Sequence, residues 1–288
     1  VAHGTGDDRT EGGVLMTLID RVSGSVSGSL VTGIPWVDID GTPVHLIDGE
    51  DARGIIADAS EHLSTKPLAV VSINLDHVHH FGVSQLTARH IAPDPECDEI
   101  EWLNLVDGAP IAAHVRRRSG APCPKLSGSD LIGPVLADAD ERRLSVGVIG
   151  GMPEVTAALM ARFTEEWPRV RFAGHWTPSR EELASTEAAA RIAAEMKAAD
   201  TDIVLVCLGK PRQEKWIAQY GAATGAGALL AFGAVVDFLA GRVSRAPSWI
   251  SQAGFEWAWR LMLEPKRLYR RYLIEGPPAY LAVRRSAA

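Results

Sequence analysis

Between residues 203 and 216 the chain runs IVLVCLGKPRQEKW. Six mostly β-branched apolar residues read as a parallel strand buried on both faces, which requires helices on either side of a sheet. Gly209 and Pro211 break the strand, and residues 212–220 restart at helical spacing. In an open parallel sheet, ligands sit beyond the carboxyl ends of the strands, where helix N-termini leave N–H groups free for anionic oxygens. Gln213 and Glu214 fall just inside such a corner. Spacing alone leaves two readings open: ligand contacts, or Glu214 complementing the helix dipole while Arg212 stays in solvent.

The 288 residues are 46% apolar, enough for one large α/β domain or two small ones without disulfide staples. Cys97, Cys123 and Cys207 form no metal-binding spacing, and Cys207 lies within the core strand, so a reducing compartment is the simpler inference. There is no amino-terminal signal pattern and no apolar run long enough to span a bilayer; residues 227–241 are interrupted by Asp237. The expected location is cytoplasmic, peripheral at the inner face of the cell membrane.

The net charge of −7 hides an asymmetry. From residue 242 onward nine Arg/Lys stand against three Glu, a balance of +6, leaving −13 for the part before it. Basic residues among Trp249, Trp257, Trp259, Tyr269, Tyr272 and Tyr280 suit a diphosphate or an anionic membrane surface better than nucleic acid, for which the chain has no motif. A basic helical face against the acidic body is the plainer alternative.

Taken in order, residues 1–30 read as a flexible leader, 31–241 as the catalytic domain and 242–288 as a basic aromatic appendage, either a lid or a peripheral membrane contact. Residues 31–46 suggest a small hairpin, and Asp48 a cap for a helix to about Ser60. The strand 68–73 delivers Ser72, Asn74 and Asp76 to its carboxyl end, with a helix following through His80 and Phe81. His77, His79, His80 and His90 read as surface or packing residues, and no metal site is assigned, because adjacent histidines diverge on a helix. A second strand, 101–106, runs into Asp107 and Gly108, a carboxylate at a strand end beside a residue that allows close backbone approach. Helices are expected over 110–118, over 131–139 with Ser127 or Ser129 as cap, and over 154–167. The strand 144–149 leads into Gly150 and Gly151, a short phosphate-cradle pattern that a structural tight turn explains almost as well. Arg171–Phe172 open a short strand before His175–Trp176, a helix capped by Ser185 or Thr186 follows to Ala199, and a strand at 228–232 exits toward Gly233, Asp237 and Phe238. This strand–loop–helix order predicts a three-layer α/β domain. Residues 249–263 predict an amphipathic helix, Pro265 starts another turn or helix, and residues 266–272 cluster charge and aromatics.

The ordered series Asn74, Asp107 with Gly108, SGSDL at 127–131, Gly150 with Gly151, LGKPRQEKW at 208–216, FGAVVDFLAGRVSRAP at 232–247 and FEWAWRLMLEPKRLYRRY at 255–272 resembles the WecG/TagA/CpsF family of glycosyltransferases over roughly residues 32–272. The resemblance implies a Rossmann-like parallel-sheet sandwich with a basic helical C-terminal appendage. It also implies inverting transfer of a hexose, N-acetylhexosamine or related sugar from a UDP-sugar to a lipid-diphosphate-linked sugar or another glycosylated acceptor. No cofactor beyond the UDP-sugar substrate is expected, and a homo-oligomer is compatible. The position of Asp107 is then that of the base, and those of Ser72 and Asn74 shape its surroundings. Gln213, Asp237 and Arg245 become donor contacts; Arg260, Arg267 and Arg270 become diphosphate or membrane contacts; and Gly150, Gly151 and Gly209 supply N–H groups to the leaving diphosphate.

Two positions depart from the family pattern, Ser72 for Thr and Lys125 for Arg, and a lysine does not reproduce the planar guanidinium fork. Two other classes remain open in the sequence: an NAD-dependent or sugar-nucleotide-modifying oxidoreductase, weakened by the missing G-x-G-x-x-G fingerprint, and a noncatalytic nucleotide-sugar or envelope-lipid binding protein.

Overall fold

The structure, a computed structural model, describes residues 28–83, 99–120, 123–242 and 256–286. An antiparallel hairpin, β1 (Trp36–Ile39) and β2 (Thr42–His45), precedes the main body. It docks through His45, whose Nδ1 accepts the Asn104 N–H at 3.0 Å. Asp48 caps the next helix, α1 (Gly49–Ser60), by accepting from the amides of Glu50 and Asp51.

Then β3 (Leu68–Ile73), α2 (Leu75–Phe81), β4 (Glu101–Val106) and α3 (Ala109–Ser119) build one side of the sheet. After α4 (Gly128–Arg142), capped by Ser127, the chain crosses to β5 (Ser145–Gly150), α5 (Thr156–Glu166) and β6 (Arg171–Trp176). It returns inward through α6 (Arg180–Ala184), α7 (Thr186–Ala198), β7 (Ile203–Cys207), α8 (Arg212–Tyr220), β8 (Ala228–Ala231) and α9 (Val235–Leu239). At the C-terminal end stand α10 (Glu256–Leu263), α11 (Pro265–Tyr269), a π-helical turn (Arg270–Glu275) and α12 (Gly276–Arg285).

The sheet order is β4-β3-β8-β7-β5-β6, every pairing parallel. Strands β3, β5, β7 and β8 are buried throughout their length, as their unbroken apolar runs require. Alternate side chains enter two cores. On one face Val70, Leu103, Val148 and Leu205 meet apolar residues of α1, α4, α5 and α9; on the other Val71, Ile73, Val204 and Leu229 meet those of α2, α3, α7, α8 and α12. The result is an α/β fold around a parallel sheet, with a helical C-terminal segment whose last helix packs on α2.

Differences from the sequence expectation are local. Strand β6 runs on through His175 and Trp176 instead of stopping before them; it is a half-buried edge strand, so neither an apolar run nor a clean alternation marks it. The short helix α6, closed by a capping box between Ser179 and Glu182, and the π-helical turn were not foreseen. Of the expected helix over 249–263, residues 256–263 are helical and the first seven lie outside the described residues, as do Cys97, His90 and nearly all of the leader.

Candidate active site

Because all six strands are parallel, their carboxyl ends share one edge of the sheet, and most of the residues singled out in the sequence gather there. Asn74 leaves β3 and caps α2, its Oδ1 accepting the His77 N–H at 3.2 Å. That bond orients the amide, so Nδ2 is left to donate to Asp107 Oδ2 at 2.9 Å. Asp107 in turn leaves β4, the neighbour of β3, and its backbone N–H is held by Ile73 O at 2.9 Å. Gly108 follows at φ +84, a conformation that turns the backbone away from the carboxylate and admits few side chains. A half-buried carboxylate bonded to the Asn74 amide is thereby presented at the sheet edge.

Two strands from β3, the β7–α8 corner contains a buried ion pair. Lys210 Nζ lies 2.8 Å from Glu214 Oε1, with the two side chains 8% and 5% exposed. The ammonium also donates to Ser72 O at 2.9 Å and approaches His77 Nδ1 at 3.4 Å. Burial, reinforced by the neighbouring Lys210 charge, pushes the His77 imidazole well below its ordinary pKa, so the ring is neutral and its Nδ1 accepts. Gln213 ties the adjoining loops together: its Oε1 accepts the Gly209 N–H at 3.1 Å, while Nε2 donates to Ala231 O at 2.8 Å and to Glu214 Oε1 at 3.1 Å. Of the two readings of this corner, Arg212 is indeed exposed, whereas Glu214 is buried and paired. Ser72 Oγ and Glu214 Oε2 are buried with no hydrogen-bond partner.

Gly150 and Gly151 leave β5 at φ +101 and +81. A Cβ on Gly150 would stand 2.4 Å from Cys207 O, so close packing against β7 already demands glycine there. A 3₁₀ turn, Pro153–Val155, intervenes before α5, so the helix starts later than the glycine pair suggested. Cys207 is buried and its thiol is pushed up to about 12 by desolvation, which keeps it protonated and inert. Asp237 lies half-buried in α9, beyond the exit of β8.

The arginines are dispersed. Arg260 stacks over the Phe238 ring at 5.3 Å, one residue from Asp237. Arg270 is exposed and paired with Glu275 at 2.8 Å. Arg267 belongs to α11, and Arg245 lies outside the described residues. A fifth, Arg271, makes the tie to the site's own helix: it pairs with the buried Asp76 carboxylate of α2 at 3.3 Å. Lys210, His77 and Arg271 were not among the expected site residues; the signals were the i,i+4 spacing of Lys210 and Glu214 and the i,i+3 spacing of Asn74 and His77. Among the described residues no group of three or more His, Cys, Asp or Glu is set to hold a metal ion, and no helix is long and apolar enough to cross a membrane.

The chain has relatives among known proteins. A curated relative from Bacillus subtilis (strain 168), N-acetylglucosaminyldiphosphoundecaprenol N-acetyl-beta-D-mannosaminyltransferase, is 26% identical over 166 residues, 58% of this chain. The matched region spans 62% of that relative's length. The profile of one glycosyl transferase family matches residues 37–288, from the hairpin through α12. The chain therefore belongs to the glycosyl transferase WecG/TagA/CpsF family.

Proposed function

We propose that this protein is an inverting glycosyltransferase, built on a Rossmann-like scaffold, that moves a hexose, N-acetylhexosamine or related sugar from a UDP-sugar to a hydroxyl of a lipid-diphosphate-linked sugar. The observation that supports it most is the Asn74/Asp107 pair, a carboxylate held by a 2.9 Å amide bond at the carboxyl edge of a parallel sheet. Asp107 accepts the proton of the acceptor hydroxyl as that oxygen attacks C1 of the donor sugar. The bond from C1 to the β-phosphate oxygen breaks on the opposite face, and UDP departs with the electron pair. One displacement inverts the anomeric centre. Charge growing on the diphosphate is met by N–H groups after Gly150, Gly151 and Gly209 and by the C-terminal arginines, Arg260 foremost because it stacks on Phe238 beside Asp237, while Asp237 contacts the donor and the buried Gln213 holds the loops around it.

Likeness to the Bacillus subtilis relative makes an N-acetylhexosamine donor and an N-acetylglucosaminyl-diphosphate polyprenol the first pair to test. The C-terminal segment suits such an acceptor. Trp257, Met262, Leu263, Tyr269, Leu273 and Ile274 are exposed apolar side chains in the part of the chain that carries the net +6, a composition that binds anionic lipid surfaces without spanning them.

Purified protein offered a panel of UDP-sugars with short-chain polyprenyl-diphosphate and soluble sugar acceptors should yield a glycosylated product by mass spectrometry. Its new linkage should be anomerically inverted by NMR, and retention of the donor configuration would defeat the single displacement. Asp107→Asn should fold as the wild type does, with kcat lowered by about 10²- to 10⁴-fold. Normal turnover would remove Asp107 from the base role.

A further inference from the structure

We propose that Lys210 is a positioning residue for Asp107, acting through the β3–α2 corner that carries Asn74. The proposal rests on the glycosyl-transfer reading above and gives Lys210 no contact with substrate.

The ammonium of Lys210 has three protons and three acceptors, each on a different element: Ser72 O at the end of β3, His77 Nδ1 in the first turn of α2, and Glu214 Oε1 in α8. With its side chain 8% exposed, water does not supply substitutes. Two of these acceptors flank Asn74, at positions two before and three after it in the chain. The His77 residue that meets Lys210 through its ring also donates its backbone N–H to Asn74 Oδ1, which decides that Nδ2 faces Asp107. The linkage is thus Glu214, Lys210, His77, Asn74, Asp107, and only the last stands at the reacting hydroxyl. The same Glu214 oxygen also accepts from Gln213, itself bonded to Ala231 O and the Gly209 N–H, so the chain of contacts begins at the end of β8 and the loop after β7 and ends just past β4. A buried charge pair is a poor way to gain stability, since well-packed apolar residues usually match it. What a fully partnered ammonium supplies here is a fixed distance between α8 and the capped end of α2.

The test is a double-mutant cycle in which Lys210→Met and Glu214→Gln are introduced together, so that neither charge is left buried alone. In the wild-type background the paired change should lower kcat by ~10- to 100-fold with donor KM unmoved, because it loosens a carboxylate rather than a binding contact. In the Asp107→Asn background the same change should alter kcat by no more than about twofold, since the group being positioned is already gone. Equal factors in both backgrounds, or a wild-type kcat in the paired variant, would overturn the proposal. If the paired variant does not fold, Glu214→Gln alone, which keeps an oxygen acceptor for Lys210, enters the same cycle with the same criterion. A substrate-free reading comes from the Asn74 side-chain amide in ¹⁵N–¹H NMR spectra. Its cross-peaks should move in the Lys210/Glu214 variant as they do in Asp107→Asn, and unmoved cross-peaks would overturn the proposal. Absence of transfer by the wild-type protein would sink the glycosyl-transfer reading alone, and the NMR comparison would then decide the linkage by itself.

Discussion

Asn74 does two jobs with one amide, and both are set by its place in the chain. Its oxygen closes the first turn of α2 and its nitrogen holds Asp107, so a substitution separates stability from chemistry. Asn74→Asp retains the helix cap but sets a second carboxylate against Asp107. We expect the melting temperature to be nearly kept and kcat to fall by about tenfold or more, as the like charge favours a proton on Asp107. The buried histidines give a second prediction. Burial lowers the pKa of both His45 and His77 in the folded protein below the value of 6.5 taken for the free side chain. Above that pH both states are neutral at these sites; below it the unfolded chain binds protons that the folded one refuses. Stability should therefore decline as pH falls from 6.5 toward 5, by up to about 1.4 kcal/mol per pH unit for each histidine, measured as urea midpoints across that range. His45→Gln, which keeps an acceptor near the Asn104 N–H without titrating, should flatten part of that slope. The sequence marked Asn74 and Asp107 because they end strands. It left Lys210 unmarked because its partners, Ser72 and His77, lie more than 130 positions away along the chain.

At the level of elements, most of the sheet could be read in advance from uninterrupted apolar runs, and the strands 68–73 and 101–106 have the boundaries expected of them. Caps did the same for helices: Asp48, Ser127 and Ser185 each accept a bond from the turn they precede. What resisted reading was edge and contact. Strand β6 lacks the signature of a doubly covered strand because it ends the described sheet and is only half-buried, and Gly150 looked like half of a phosphate cradle although its φ of +101 and the lack of room for a Cβ beside Cys207 O give it a packing duty as well. Gly150→Ala should accordingly destabilise the fold by about 2 kcal/mol or more through backbone strain and the clash with β7, seen as a lowered denaturation midpoint. A core truncation sets the scale for comparison: Leu103→Ala, at a position with 0% exposure in β4, should cost about 2–5 kcal/mol.

For the whole molecule, the governing fact is that sheet order and chain order disagree. Asp107 and Asn74 come from the first half of the chain, Lys210, Gln213 and Asp237 from the second, and the two sets meet because β8 lies between β3 and β7. No spacing in the sequence announces that adjacency. The C-terminal segment is joined to the same place, through Arg271 on Asp76 and through Ala279, Ala282 and Val283, which are buried in the core facing α2. Arg271→Ala, which leaves the Asp76 carboxylate without that partner, should lower the denaturation midpoint and weaken hydrogen-exchange protection in α2 and α12 before the rest of the protein.

The insertion of β8 also fixes when the site comes into being during synthesis. Leu68 of β3 pairs with Ala228 of β8, so until the ribosome has delivered the last strand, β3–β4 and β6–β5–β7 are two separate ribbons, each with an apolar edge awaiting a neighbour. Such long-range closure is slow to find and leaves those edges open to other chains meanwhile. The oriented carboxylate at the end of β4 and the buried ammonium after β7 are brought into one frame only when β8 joins the two ribbons.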